Sequence, residues 1–180
     1  MGTLRYILFF LFAPIVVFGQ TVHVEKNRIV YKGKVDVADV SKTELYERVR
    51  DMIATTVNNK GDSVIEDNSQ KGRLIAHGNI FLRSTYYLAR RVDYLLEVNV
   101  NDRGYSYRID SVFLELRERG EAAKKFSSED LLKMVDVTGP EATAAEKQLN
   151  EIDMNFQMLI AKLKTLITLI GANRNANWRE

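Results

Sequence analysis

Histidine, cysteine and paired carboxylates are the residues from which most active sites are built, and this chain holds two histidines and no cysteine. His23 and Glu25 stand two apart on a stretch that could be a strand, so both could point one way toward a metal. A zinc site needs three or four ligands, and this pair offers two. His77 falls on the polar side of an alternating run with Arg73 and Asn79, the setting of a solvated surface histidine. A serine nucleophile needs a histidine and a carboxylate held against it. No G-x-S-x-G run occurs, and Ser41 has a structural role described below. The glycines are scattered, which excludes a Gly-rich phosphate loop. Asp62, Glu66 and Asp67 could hold calcium, but they lack the Asp/Asn alternation and turn glycine of an EF-hand loop; solvated carboxylates are the simpler reading. The lack of cysteine removes a thiolate nucleophile, a thiolate metal site and a lipidated anchor. No catalytic residue, metal or cofactor is therefore expected, and a hydrolase ranks last among the readings.

The basic groups Arg90-Arg91, Arg117 with Arg119, and Lys124-Lys125 lie beside glutamates or at strand ends. They read as a mixed-charge rim, with a patch for an anionic glycan or lipid headgroup as the weaker alternative. Tyr86-Tyr87, Tyr94, Tyr105 and Tyr107 are common strand residues and suit cross-strand packing better than a binding groove.

The elements that must position these groups follow from periodicity. "RIVYKGKVDV" alternates, with Ile29, Tyr31, Gly33, Val35 and Val37 on one face and Lys32, Lys34 and Asp36 on the other, which is a half-buried strand. Ser41 and Glu44 have capping-box spacing. Leu45, Val49, Met52, Ile53 and Val57 then form one helical stripe, with Glu44 and Arg48 as a favourable i,i+4 pair, predicting a helix from Lys42 to Val57 that stops near "NNKGD". Four strands follow. "DSVIED" is short. "GRLIAHGNIFLR" turns Leu74, Ala76, Gly78, Ile80 and Leu82 to one face, and "RVDYLLEVNV" does so with Val92, Tyr94, Leu96, Val98 and Val100. "GYSYRIDSVFLEL" changes phase between Ile109 and Val112, which predicts a bulge at Asp110–Ser111.

Ser127 is a plausible cap for "SEDLLKMV", and Pro140 opens a long helix that Gly171 is expected to end. Its seam is Leu149, Ile152, Phe156, Leu159, Leu163, Leu166 and Ile170, widened by Ile160 and Ile167. From Pro140 to Ile170 this helix would extend about 45 Å, more than the roughly 20–30 Å of an ordinary strand. Part of it therefore overhangs, bends or meets something else. Strands joined by short turns make an antiparallel sheet, and the helices are its only cover. The fold class is α+β: two layers, a curved antiparallel sheet in the order strand, helix, four strands, helices, with a long C-terminal helix.

The N-terminal run "MGTLRYILFFLFAPIVVFGQ" has the pattern of a secretory signal peptide over residues 1–19, too short and too interrupted by Pro14 for a membrane span. The expected divisions are a sheet domain over 20–126, C-terminal helices over 127–171 and a loose tail over 172–180. Export follows, to the periplasm or the exterior, with no stable membrane span after cleavage. Net charge is near zero without Arg5, which argues against a nucleic-acid face.

"YKGKVDVADVSKTELYERVRDMI", "EDNSQKGRLIAHGNIFL" and "VDYLLEVNVNDRGYSYRIDSV" together resemble a family of small exported proteins, found largely in Bacteroidota, known as a domain of unknown function with a TBP-like fold. The likeness spans Arg28 to Leu116. Its marks are Ser41-Lys42, Leu45-Tyr46, Glu66-Asp67 ahead of Gly72, and Arg103-Gly104-Tyr105 with Tyr107-Arg108. The resemblance implies the same element order and a TBP-like or helix-grip-like sheet. It implies no activity, because fold does not carry function.

The expected function is a non-enzymatic binding or interaction module of the cell envelope. Its candidate interface is the C-terminal seam of Ile152, Phe156, Leu159, Leu163, Leu166 and Ile170, meeting a second copy or a partner protein. The alternative is a carrier that holds a small apolar ligand between the sheet and this helix.

Overall fold

The computed structural model describes residues 23–56, 63–83 and 89–176, with side chains in the last helix described through Ile167. The signal-peptide segment, Val57, Asp62, Tyr86-Tyr87 and the last four residues lie outside the described residues. Among the described residues a short hairpin comes first, β1 (Val24–Glu25) and β2 (Arg28–Ile29). Its turn residues Lys26 and Asn27 both have positive φ, as a type I′ turn requires. Then come β3 (Tyr31–Asp36), α1 (Lys42–Thr56), β4 (Ser63–Asn68), β5 (Arg73–Leu82), β6 (Ala89–Asn101), β7 (Gly104–Arg117), β8 (Lys124–Ser127), α2 (Ser128–Val135) and α3 (Pro140–Ala176).

All neighbours in the main sheet are antiparallel, in the order β3-β7-β6-β5-β4, and β8 pairs with the second half of β7. The expected alternation sets its two faces. Leu74 and Ala76 of β5 join Val92, Tyr94, Leu96, Val98 and Val100 of β6 in the core. The same core takes in Leu45, Val49, Met52 and Ile53 of α1 and Leu131 of α2. On β7, Tyr105, Tyr107 and Ile109 face the helices, then Val112, Leu114 and Leu116 do. The phase change is the predicted bulge: Ser111 and Val112 together oppose Tyr94, and Ser111 has a φ of 52°.

Two details of the helices differ from expectation. Ser41 caps α1, its Oγ accepting the Glu44 N–H at 3.2 Å, while the Glu44 carboxylate pairs with Arg48. The reciprocal capping box forms instead at Ser127 and Asp130, where α2 begins. The backbone of α3 also runs past Gly171 to Ala176, 37 residues in all, so Gly171 is not a stop and 172–176 is not a loose tail. A glycine inside a helix costs only about 1 kcal/mol relative to alanine and ends it only when it turns to positive φ.

Candidate functional site

The seam proposed as an interface is the centre of the core. Ile152, Phe156, Leu159 and Leu163 are buried, Ile160 and Ile167 with them, and Leu166 packs half-buried against the same cluster. The Ile170 side chain lies outside the described residues. Phe156 sits between two sheet tyrosines, with ring centroids 5.0 Å from Tyr31 and 5.3 Å from Tyr94. Where the carrier reading needs space, aromatic rings stand. Polar bolts fix the helix in place. The Tyr31 hydroxyl donates to the Asp153 carboxylate at 2.8 Å, and Asp153 is 1% exposed. Burial and this acceptor push the Tyr31 phenol far above its ordinary pKa. Arg90 of β6 reaches Glu151 at 2.8 Å, and buried Arg48 of α1 donates to the Ile167 carbonyl. Among the large apolar side chains described on α3, Met154 and Met158 are the exposed ones.

Four of the residues that mark the family resemblance, Lys42, Tyr46, Asp67 and Gly72, lie at one corner of the sheet. The Tyr46 hydroxyl lies 2.6 Å from Asp67 and 3.3 Å from the Arg73 carbonyl, which ties α1 to β4 and β5. Lys42 donates to the Gln70 carbonyl, and Gly72, at a φ of 70°, packs where a side chain would strike the Val100 backbone. An open cleft of about 340 Å³ lies beside Lys42, Tyr46 and Gln70. Buried Tyr46 thus works as a structural tie.

The opposite face of the sheet carries the charge. His77 lies there as expected, half-buried, in line with Ser63 and Leu95 on the neighbouring strands. Guanidinium–carboxylate pairs surround it. Arg73 pairs with Glu66 at 3.2 Å and Glu97 at 3.0 Å. Arg108 reaches Asp110 at 2.8 Å, and Arg91 reaches Asp93 at 2.9 Å and Glu115 at 3.1 Å. Hydrogen bonds from Asn99 and Arg73 hold Glu97 below the usual carboxylate range despite partial burial. That direction is opposite to what a general acid needs, a pKa raised toward neutrality. His23 and Glu25 also have separate partners: the His23 ring lies 5.5 Å from that of Tyr31, and Glu25 pairs with Lys32.

One cleft opens on this side and was missed in the sequence. The outer edge of β7 pairs with β3 up to Ile109 and with β8 from Phe113, so Asp110, Ser111 and Val112 lie between the two partners. The gap is a cleft of about 160 Å³ lined by Arg28, Arg108, Asp110, Ser111, Ser128 and Glu129. An Arg28–Glu129 ion pair of 2.6 Å lies along it. The sequence signal was the phase change on β7, which predicted the bulge but not that the ladder partner changes beside it.

Residues 31–113 match the family model described as a domain of unknown function, DUF4468, with TBP-like fold. Over that stretch, a little under half of its length, the chain is similar to the DUF4468 family. The match ends at the β7 bulge region, so β8, α2 and α3 lie beyond the matched part of the chain. Solved structures agree on the fold over a longer span. A TBP-like protein from Parabacteroides distasonis is similar at a TM-score of 0.67 and 14% identity, covering 81% of this chain and 96% of its own. A DUF4468 family protein from Bacteroides ovatus is similar at 0.67 and 12% identity, covering 83% of this chain and 91% of its own. No curated protein matches the chain.

Proposed function

We propose that this chain is an exported, non-enzymatic interaction module of the cell envelope, and that it meets its partner through the sheet face opposite the described helices. One observation supports this reading above the others: the apolar seam of α3 is spent on the sheet, and the described helices pack on the same side of it. Of the seam side chains that would pair with a second copy, Ile152, Phe156, Leu159 and Leu163 are in the protein's own core. What stays accessible among the described residues is a broad face of ion pairs across the strands of the main sheet. Its cations are matched by carboxylates, which argues against a nucleic-acid partner, since that needs an unbalanced basic surface. No helix among the described residues is long and apolar enough to cross a membrane.

A photo-crosslinking amino acid placed in the producing cell tests this. At Ser106 or His77, on the open face, it should give a covalent adduct with one protein. At Met158, on the outer side of α3, it should give none. An adduct from Met158 alone, or a dimer adduct from that position, overturns the reading in favour of the helix.

A further inference from the structure

The open face is not uniform, and its end at β8 differs from the rest in charge and in composition. Four residues lie in register across this end: Phe81 on β5, Arg91 on β6, Glu115 on β7 and Lys125 on β8. Asp93 and Phe113 form the next pair inward. Opposed residues on antiparallel strands point to one face, so these side chains share a surface about 15 Å wide across four strands.

Two features set this surface apart. The first is a vertical separation of charge. Glu115 is approached by Arg91 at 3.1 Å and by Arg117 and Lys125, each at 3.7 Å. Arg91 also holds Asp93. Three cations thus share two carboxylates, and the carboxylates are the buried members: Asp93 is 7% exposed and Glu115 9%. The Arg117 and Lys125 side chains are 53% and 59% exposed. Solvent meets the cations, with the anions beneath them. Elsewhere on the face the exposure is more even, as for Arg73 at 40% and Glu66 at 30%. The second feature is aromatic. Phe81 is 59% exposed and Phe113 43%, on either side of the Arg91–Asp93 pair. Exposed phenylalanine beside arginine, around a desolvated pair, is the composition of a protein contact centre.

We propose that this end of the face docks an acidic segment of a partner protein that also presents an aromatic or aliphatic anchor. The charge excess selects the carboxylates of the segment, and the two rings receive its anchor. A bare anionic headgroup would use the cations and leave the rings unused. The proposal rests on the open-face reading given above.

The probe is an eight-residue peptide of six glutamates with a tryptophan and a leucine, titrated into the isotope-labelled exported chain at low salt and followed by amide shifts. Shifts should cluster at Phe81, Arg91, Phe113 and Lys125. The double variant Arg117→Glu, Lys125→Glu changes two exposed side chains and should weaken binding about tenfold, as should raising the salt. Equal binding by the lysine counterpart, or shifts centred elsewhere, overturns the proposal. So does equal binding when serine replaces the tryptophan and leucine, which would mark a bare anion patch. The two readings fail separately. If Ser106 crosslinks to a protein but the acidic peptide leaves the patch unshifted, this inference falls and the open-face reading stands. If no open-face position crosslinks, both fall.

Discussion

Tyr31→Phe tests how firmly α3 is committed to the sheet. The substitution keeps the ring that contacts Phe156 and removes only the hydroxyl, which donates to Asp153 at 2.8 Å. Asp153 is 1% exposed, so water cannot replace the lost donor without opening the core. A hydrogen bond to a charged acceptor contributes about 1.5–3 kcal/mol, and stranding a buried carboxylate costs at the upper end of that range, so about 2–3 kcal/mol is expected. For a chain of this size that is a fall in Tm of roughly 4–12 °C. Asp153→Leu alone strands the Tyr31 hydroxyl and should cost about 1–3 kcal/mol. The double variant Tyr31→Phe, Asp153→Leu leaves neither group stranded. It should therefore lie closer to the parent than the sum of the singles, with a coupling of about 1–3 kcal/mol. Urea unfolding followed by far-ultraviolet circular dichroism, with unchanged m-values, measures all four corners of the cycle. Two strictly additive single losses, or a Tyr31→Phe loss below about 0.5 kcal/mol, would refute the argument that this pair bolts the helix down.

Two further outcomes follow from the same packing. Gly78 lies directly opposite Tyr94, and a Cβ there would fall among the ring atoms, one of them 2.9 Å away; Tyr94 in turn meets Phe156 edge-on. Gly78→Ala should therefore cost about 1–3 kcal/mol by overpacking, and Gly78→Ala with Tyr94→Leu should cost less than the sum of the two, as read by urea midpoints. Burial raises the phenols of Tyr31, Tyr46 and Tyr105 above the ordinary value near 10, and for Tyr31 and Tyr46 a carboxylate acceptor adds to it. The unfolded chain loses these protons first, so the stability they contribute is full below about pH 10 and declines as pH rises beyond it. Absorbance of tyrosinate should show them ionising together with loss of ellipticity; early ionisation of all the tyrosines in the folded chain would refute this.

Much of the architecture was legible because burial imposes period. The alternation of β5 and β6 and the stripe of α1 each name a buried face from spacing alone. What stayed hidden depends on a partner. β1 is two residues long, too short to show any period, the break that parts β2 from β3 leaves no mark on the alternation of 28–37, and β8 begins with two lysines that read as part of a mixed-charge rim. β8 becomes a strand because the second half of β7 offers an edge that β3 does not occupy. The tie made by the Tyr46 hydroxyl was hidden for the same reason: its partner Asp67 is on another element. The seam of α3 shows the limit most plainly. A three-four apolar repeat states that one side of a helix is covered, and a sheet covers it as well as a second helix does.

The open-face patch was hidden by the same limit, and the bulge is what creates it. Before Ser111, the odd-numbered residues of β7 point to the helices; after it, the even-numbered ones do. Had the first phase continued, Phe113 and Glu115 would lie inside the core, and Leu114 would lie on the open face beside Arg91. The extra residue reverses this, putting Leu114 among the buried side chains and bringing Glu115 beneath Arg91 and Lys125. Ser111 holds a backbone conformation that serine rarely adopts, which costs of order 1 kcal/mol or more. That strain persists because restoring the simple register would bury a charge and a ring in the wrong place and expose three core side chains. The phase change read in the sequence was therefore the trace of the candidate surface, although only the register across β6, β7 and β8 reveals which groups it gathers.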